Sequence, residues 1–312
     1  MKPAVVDRIG NYRIDGERSR DAVGVVYQAH HLVLPRRAIL KVMHEDRRPA
    51  AIQLLREACI LEALEHPGII RVYESGLLPD RRPWFAHERV EGATVGDLLM
   101  TAPLEAPTAT SLLRDIADIL EHTHRRGVIH CGLRPDRIVV TGRARGFPLC
   151  IASWSGARIH DTSAPLDAAG PADYTAPELV RGEAVDDTAD VFALGVIAFQ
   201  ALTGELPFDG ATVATRTPDL APTHECCPEA PPQLAALVDQ MLAWERWDRP
   251  SIAEVRVELS VIAEALAEPP AKVAREAARV RRPKWTPPFK FTTQTEPSAP
   301  VEIIDDKTTK ST

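Results

Sequence analysis

The sequence predicts an α+β fold in which a strand-rich first part is followed by a mainly helical second part. Residues 12–27 are expected to form two strands joined by a loop, with Val23, Val25 and Val26 in the second, and the apolar run 38–43 is expected to form a buried strand. Residues 52–64 and 109–126 instead carry apolar side chains at the spacing of a helix face. The order of these segments separates the sheet from most of the helices along the chain.

The composition is that of a globular protein with no general affinity for polyanions. The chain has 312 residues, of which 45% are hydrophobic and 26% charged, and its net charge is -7. This charge argues against a nucleic acid partner. No uninterrupted apolar run of about 18 residues occurs, so we expect no membrane span. The start of the chain lacks the apolar core of a secretion signal.

The cysteines predict neither a disulfide framework nor a metal site. There are five of them, including the adjacent pair Cys226 and Cys227, and their spacing fits no zinc or disulfide pattern. We therefore expect reduced thiols, a cytoplasmic location and no bound metal.

The most informative segment of the sequence is residues 128–140. It reads V-I-H-C-G-L-R-P-D-R-I-V-V and lies between a helical run and a short β-branched strand. It resembles the catalytic loop H-R-D-L-K-P-x-N of bacterial serine/threonine protein kinases. In that family the Asp accepts the proton of the substrate hydroxyl and the Asn binds magnesium. Here the Arg, Asp, Lys and Asn positions hold Cys131, Gly132, Arg134 and Arg137.

Further segments match the same family in the same order. A-I-L-K-V-M at 38–43 resembles the strand that carries the nucleotide-positioning lysine, here Lys41. The helical run that follows places Glu57 where the family has the glutamate that pairs with this lysine. H-P-G-I-I-R-V-Y at 66–73 resembles the passage into the fourth strand, and Gly92 falls at the family's hinge. The resemblance implies a Lys41–Glu57 ion pair that marks a vestigial nucleotide site.

The loop that would close over the nucleotide phosphates departs from the family pattern. Its three glycine positions fall on Ser19, Asp21 and Gly24, so only the last is glycine. Side chains at the first two positions hinder the approach of the backbone amides, and the Asp21 carboxylate would repel phosphate oxygens. Together with Arg137, these residues lead us to expect no cofactor and no binding of Mg-ATP.

The segment that resembles the family's D-F-G turn lacks the metal-binding carboxylate. Ser153, Trp154 and Ser155 occupy the three positions, and no acidic residue occurs between Asp136 and Asp161. The sequence therefore predicts no metal ligand here. Trp154 keeps an aromatic ring in the Phe position, and we expect it to pack in the core.

The positions that support the family's fold are retained. Glu178 in the A-P-E sequence and Arg249 in the R-P-S sequence match residues that form a mostly buried ion pair in the family. Asp190 matches the residue that caps the backbone amides of the catalytic loop. The departures from the family pattern therefore fall at the reactive positions more than at the positions that support the fold.

This resemblance implies a two-lobed protein-kinase-like fold. The expected N-lobe, residues 12–92, is a small antiparallel five-stranded sheet with the helix that kinases call αC. The expected C-lobe, residues 93–268, is mainly helical. Residues 1–11 would form an N-terminal extension, and the Pro- and Thr-rich residues 269–312 a largely disordered tail.

The pattern of losses predicts a pseudokinase, a kinase-fold module for binding, scaffolding or regulation in signalling that lacks the catalytic base and the metal-binding carboxylate. One alternative is an enzyme with a rearranged site, in which Arg134 or Arg137 replaces the metal's charge and Asp136 or Asp161 supplies a carboxylate. Another is a weak serine/threonine kinase of ordinary type. Metal-dependent nucleotide binding distinguishes the first hypothesis from the other two.

Two expectations concern segments beyond these motifs. Residues 272–290 of the tail carry seven basic side chains against one acidic side chain, so they are either a solvated tail or a docking segment for an acidic protein partner or membrane surface. Residues 153–173 are expected to fold back into the nucleotide cleft and occlude it, with Asp161 as a partner for Arg137.

Overall fold

The computed structural model describes residues 7–20, 23–45, 51–142, 145–160, 172–208 and 220–266. All of these residues belong to one compact unit, Met1–Val280, and the second unit, Arg281–Thr312, lies outside them. The predictions for Asp21, for Asp161 and for the tail 269–312 also fall outside the described residues. The predicted domain boundaries therefore stay a prediction.

The first lobe is an antiparallel sheet with one helix. Its described elements are the strands β1 (Arg8–Ile9), β2 (Tyr12–Arg20), β3 (Gly24–His31), β4 (Arg37–Met43), β5 (Val72–Leu77) and β6 (Pro83–Glu88), and the helix α1 (Ala51–Ala63). The strands lie in the order β1-β2-β3-β4-β6-β5, and each neighbouring pair is antiparallel. The predicted small sheet with helix αC is confirmed, and α1 is that helix.

The sheet has six described strands where the sequence predicted five. The additional strand β1 pairs with the start of β2, Arg8 with Arg13 and Ile9 with Tyr12. Ile9 and Tyr12 are both buried, so the pairing brings Ile9 into the apolar core of the sheet. A strand of two residues shows no alternation that a sequence pattern can detect. The sheet thus begins inside the predicted extension 1–11.

The second lobe is mainly helical, as predicted. Its described helices are α2 (Val95–Leu99), α3 (Ala106–His124), α4 (Pro177–Val180), α5 (Thr188–Thr203), α6 (Thr223–Cys226), α7 (Pro232–Met241) and α8 (Ile252–Leu266). Two short antiparallel pairs accompany them, β7 (Val128–Ile129) with β10 (Arg158–Ile159) and β8 (Ile138–Val140) with β9 (Leu149–Ile151). Helix α5 is apolar and buried along almost its whole length, so it forms the centre of this lobe.

The glycine at position 92 lets the connection between the lobes pass close to β8. A Cβ on Gly92 would lie 2.2 Å from the carbonyl oxygen of Val140, closer than a side chain can approach. The next carbonyl, that of Ala93, accepts a hydrogen bond from the Val140 amide at 2.9 Å. Thr94 then caps α2 through a capping box with Asp97. The chain therefore enters the second lobe at the predicted hinge.

The predicted ion pair between Glu178 and Arg249 forms in the interior of the second lobe. The Arg249 guanidinium donates to both Glu178 carboxylate oxygens, at 2.7 and 3.0 Å. It also donates to the carbonyls of Ala243 and Trp244. Both side chains are buried, and the fork geometry leaves each charge satisfied. The pair fixes α4 to the segment between α7 and α8.

We expect Glu178→Ala to lower the free energy of unfolding by about 3–5 kcal/mol, because it leaves the Arg249 guanidinium buried without its carboxylate. Urea-induced unfolding monitored by circular dichroism measures this change. The matched control is Glu183→Ala, which removes a half-exposed partner of Arg181 and should cost less than about 1 kcal/mol. Equal losses in the two variants would contradict the expectation.

Candidate functional site

The loop that resembles the kinase catalytic loop is held by the buried carboxylate of Asp190 on α5. This carboxylate accepts hydrogen bonds from the backbone amides of His130, at 2.7 Å, and Cys131, at 2.9 Å. It also accepts one from Nε2 of His124, at the end of α3, at 2.9 Å. Burial by itself raises the pKa of Asp190, but the hydrogen bonds outweigh burial and lower it overall. The predicted capping role of Asp190 is confirmed.

His130 and Trp154 form a buried ring contact beneath this loop. Their ring centroids are 4.6 Å apart, and both side chains are fully buried. His130 donates from Nε2 to the carbonyl of Ser153 at 2.9 Å, and Trp154 donates from Nε1 to the carbonyl of Ile151 at 3.1 Å. Burial, together with the positive charge of Arg137, lowers the pKa of His130 to about 4, although the Asp190 carboxylate acts in the opposite direction. Trp154 therefore packs in the core, as predicted.

Gly132 and Arg137, the positions of the family's base and metal-binding Asn, lie in direct contact. Arg137 Nη1 donates to the Gly132 carbonyl oxygen at 2.9 Å. A Cβ on Gly132 would lie 2.8 Å from the same nitrogen. The Arg137 guanidinium therefore occupies the space into which a side chain at position 132 would project. Neither position presents a carboxylate or an amide oxygen.

The other charged residues of this loop are engaged with one another. Arg134 donates to both carboxylate oxygens of Asp136, at 2.9 and 2.6 Å. The Asp136 side chain is 56% exposed, so it points to the surface while Arg134 holds it. Asp136 is therefore a carboxylate within the loop, and it already forms an ion pair with Arg134.

Lys41 and Glu57 form the predicted ion pair in the first lobe. Nζ of Lys41, on β4, lies 3.0 Å from Oε2 of Glu57, on α1, and both side chains are buried. Next to them, His87 on β6 donates from Nδ1 to the Glu88 carbonyl at 2.8 Å. Burial lowers the pKa of His87 to about 4, and the nearby charges of Lys41 and Arg18 act in the same direction. The pair is intact, and its role in nucleotide binding stays a prediction.

Two of the three positions predicted for the phosphate loop, Ser19 and Gly24, lie in the strands β2 and β3. Ser19 is paired with Val26 in the ladder of β2 and β3, with its side chain exposed. Gly24 lies so close to β4 that a Cβ would be 2.2 Å from the Val42 carbonyl oxygen. Glycine is therefore required at position 24 by the sheet itself, whether or not a nucleotide binds.

Two neighbouring arginines of the first lobe belong to no motif and were not predicted. Arg18 lies on β2, and Arg89 follows β6. Burial lowers the pKa of the Arg18 guanidinium, and repulsion by Arg89 lowers it further. Arg89 donates to the side-chain oxygen of Gln28 at 3.2 Å. Single arginines in strands are usually solvated, so the sequence offers no signal for this pair.

Within the described residues the structure brings Gly132, Arg137 and Ser153 together around His130, and Lys41 and Glu57 together in the first lobe. In the same residues, no group of three or more His, Cys, Asp or Glu side chains could hold a metal ion. No described helix has the length and apolar character to cross a membrane.

This arrangement of a small sheet, helix αC and a helical lobe with the loop 128–140 at its edge defines a protein kinase fold. Residues 20–258 match the protein kinase domain family, and the chain belongs to that family. The predicted resemblance is confirmed at the level of the domain.

The relatives of this chain include bacterial serine/threonine kinases. Serine/threonine-protein kinase Pkn1 of Myxococcus xanthus is 32% identical over 299 residues, which cover 90% of this chain and 41% of Pkn1. PknB of Mycolicibacterium smegmatis is 31% identical over 273 residues, covering 81% of this chain and 43% of PknB. PknJ of Mycobacterium tuberculosis is 30% identical over 242 residues, covering 74% and 41%. The chain thus spans about two fifths of the length of these relatives.

The imidazole of His130, which is buried, and that of His87, which is partly buried, are expected to titrate near pH 4 in the folded protein and near pH 6.5 in the unfolded chain. Because each folded pKa is the lower one, protonation favours unfolding. Stability is therefore lost as the pH falls from about 6.5 to about 4, by roughly 3 kcal/mol for His130. NMR titration of the imidazole protons, with urea-unfolded protein as the control, measures these values. A His130 pKa near 6.5 in the folded state would contradict the assignment.

Proposed function

We propose that this chain is a pseudokinase, a cytoplasmic kinase-fold module that binds or organises other proteins without transferring phosphate. The contact between Arg137 and Gly132 carries the proposal. At the position where the family has its general base, this chain has no side chain, and the space beside it holds a guanidinium 2.9 Å from the Gly132 carbonyl oxygen. A cation that cannot accept a proton therefore takes the place of a carboxylate.

The residues of the site do not fit magnesium. Mg²⁺ prefers oxygen ligands, above all carboxylates and phosphates, in octahedral geometry. A guanidinium has donors and no acceptor, so Arg137 offers no ligand atom, and its charge repels a divalent cation. Ser153 supplies a hydroxyl where the family has a carboxylate, and its carbonyl already accepts a hydrogen bond from His130. No transfer step through Mg-ATP follows from these residues.

The expected loss of rate supports a binding module over an enzyme. A positioned general base accelerates a reaction by about 10²–10⁴-fold. Protein kinases turn over at roughly 1–100 per second, so loss of the base alone leaves about 10⁻⁴ per second at the low end. Loss of the metal ligands removes several kcal/mol more of charge stabilisation. Such effects are not additive, but they act in the same direction.

Retention of the framework supports a role in binding. Asp190 and the Glu178–Arg249 pair keep the loop and the second lobe in place, and a buried charge that lost its partner would destabilise the fold. A scaffold requires a surface of fixed shape and does not require catalytic activity. As part of this proposal, the basic residues 272–290 dock to an acidic protein partner, and this contact weakens as salt rises.

A second candidate is an ATP-dependent transferase of the kinase superfamily with a rearranged site. The Lys41–Glu57 pair favours it, because Nζ and Oε2 lie 3.0 Å apart in the arrangement that positions nucleotide phosphates in kinases. The relatives are also named as serine/threonine kinases. In this case Asp136, released from Arg134, or Asp161 would supply the carboxylate.

Incubation with labelled ATP, magnesium and mixed protein substrates is expected to give no phosphate incorporation, because Gly132 supplies no carboxylate at the position of the family's general base. The Lys41→Met variant is the matched control, and an intact serine/threonine kinase domain assayed in parallel shows that the conditions support transfer. Incorporation that Lys41→Met abolishes would establish the second candidate. Incorporation that survives Lys41→Met would indicate a contaminating kinase.

The substitution Gly132→Asp alone is expected to create no activity. Its Cβ would lie 2.8 Å from Nη1 of Arg137, so the new carboxylate pairs with the guanidinium and is not available as a base. The comparison is the triple variant Gly132→Asp/Arg137→Asn/Ser153→Asp, which returns all three family residues. The same labelled-ATP assay measures both. Activity in the single variant would contradict the coupling of positions 132 and 137.

A further inference from the structure

One arginine of the second lobe reaches across to the first lobe, and it belongs to no motif. Arg145 lies between β8 and β9. Its guanidinium donates to both carboxylate oxygens of Glu88, the last residue of β6, with Nη1 2.7 Å from Oε2. Nη2 also donates to the carbonyl of Ile69 at 2.6 Å, and Nε donates to the carbonyl of Pro67. Every nitrogen of the guanidinium is therefore bonded.

The acceptors of Arg145 lie in two separate segments of the first lobe. Pro67 and Ile69 lie in the segment that follows α1, the helix that carries Glu57. Glu88 ends the strand that leads to the hinge, and its Oε1 also accepts the backbone amide of Arg71 at 2.7 Å. The Arg145 and Glu88 side chains are only 17% and 15% exposed, so water screens this charge pair little.

A second contact reinforces the same junction. The amide of Ile151, on β9, donates to the carbonyl of Gly68 at 2.8 Å, and Ile69 and Ile151 form an isolated parallel bridge. The backbone of the second lobe is thus hydrogen-bonded to the segment after α1, and the Arg145 side chain contacts the same segment from the adjoining loop.

We infer that Arg145 and Glu88 form a latch between the lobes, which ties the trailing end of α1 and the start of the hinge to the second lobe. Kinase-type enzymes open and close their lobes during turnover, and hinge residues must change conformation to permit this. Here a bidentate, shielded ion pair with two further carbonyl acceptors opposes that motion. The latch keeps the two lobes in one relative orientation, which a binding surface requires. The inference holds whether or not the protein transfers phosphate.

The latch predicts a local response when it is cut. In Arg145→Ala, amide hydrogen exchange should rise by about tenfold or more at Gly68, Ile69, Arg71 and Ile151, since the loss of hydrogen bonds to a charged group favours local opening. Exchange in the α5 core, residues 188–203, should stay unchanged. Arg145→Lys keeps the charge but lacks the planar fork, so it should open the same segment.

The matched control is Arg20→Ala. Arg20 also forms a bidentate pair, with Glu17, but this pair is exposed and joins residues three apart on the same strand. It should leave exchange at positions 68–71 unchanged. A uniform rise across α5 and positions 68–71 in both Arg145 variants would make Arg145 a general stability residue, and unchanged exchange would remove the latch. A rise in exchange confined to residues 68–71 and 151 supports the latch. Glu88→Gln keeps an acceptor for the Arg71 amide, so it should show a smaller rise in exchange at the same residues.

Discussion

The geometry of the whole site depends on one buried carboxylate. Asp190 accepts hydrogen bonds from two successive amides of the loop and from His124, so it joins α3, α5 and the loop in one place. A buried carboxylate without these donors would cost several kcal/mol, and the donors without the carboxylate would be buried and unsatisfied. The fold therefore needs this arrangement independently of any reaction. The loop, including the buried His130, is therefore held in this geometry whichever residues stand at positions 132 and 137.

Within that frame, Gly132 and Arg137 form one contacting pair. Arg137 can donate to the carbonyl of residue 132 because residue 132 is glycine, and no side chain on its Cα blocks the guanidinium. A larger residue at 132 would displace the guanidinium, and an acidic residue would neutralise it. Because the two positions are coupled, the chemistry of the site cannot be judged from either residue alone. The relatives bearing kinase names establish the family and leave this local question to experiment.

Three buried or shielded ion pairs join elements that are distant in the chain, and only some of them could be predicted from the sequence. Lys41–Glu57 and Glu178–Arg249 could be predicted, since each residue stands in a motif whose partner is known for the family, and both pairs form. Arg145–Glu88 could not be predicted, because its partners lie 57 to 78 residues earlier in the chain and its loop carries no pattern. A long-range contact made by one side chain leaves no periodic trace in the sequence.

The sequence by itself determined the order of sheet and helices, the hinge at Gly92, and which residues stand at the family's reactive positions, because periodicity and motif spacing are local properties. It missed the strand Arg8–Ile9, whose two residues are recruited by burial of Ile9 and not by any alternation. Only the tertiary structure placed the Arg137 guanidinium against Gly132, brought Arg18 near Arg89, and tied Arg145 to Glu88. A side chain's rotamer and partner are decided by the packing of elements distant in the chain, where burial makes each unpaired charge costly.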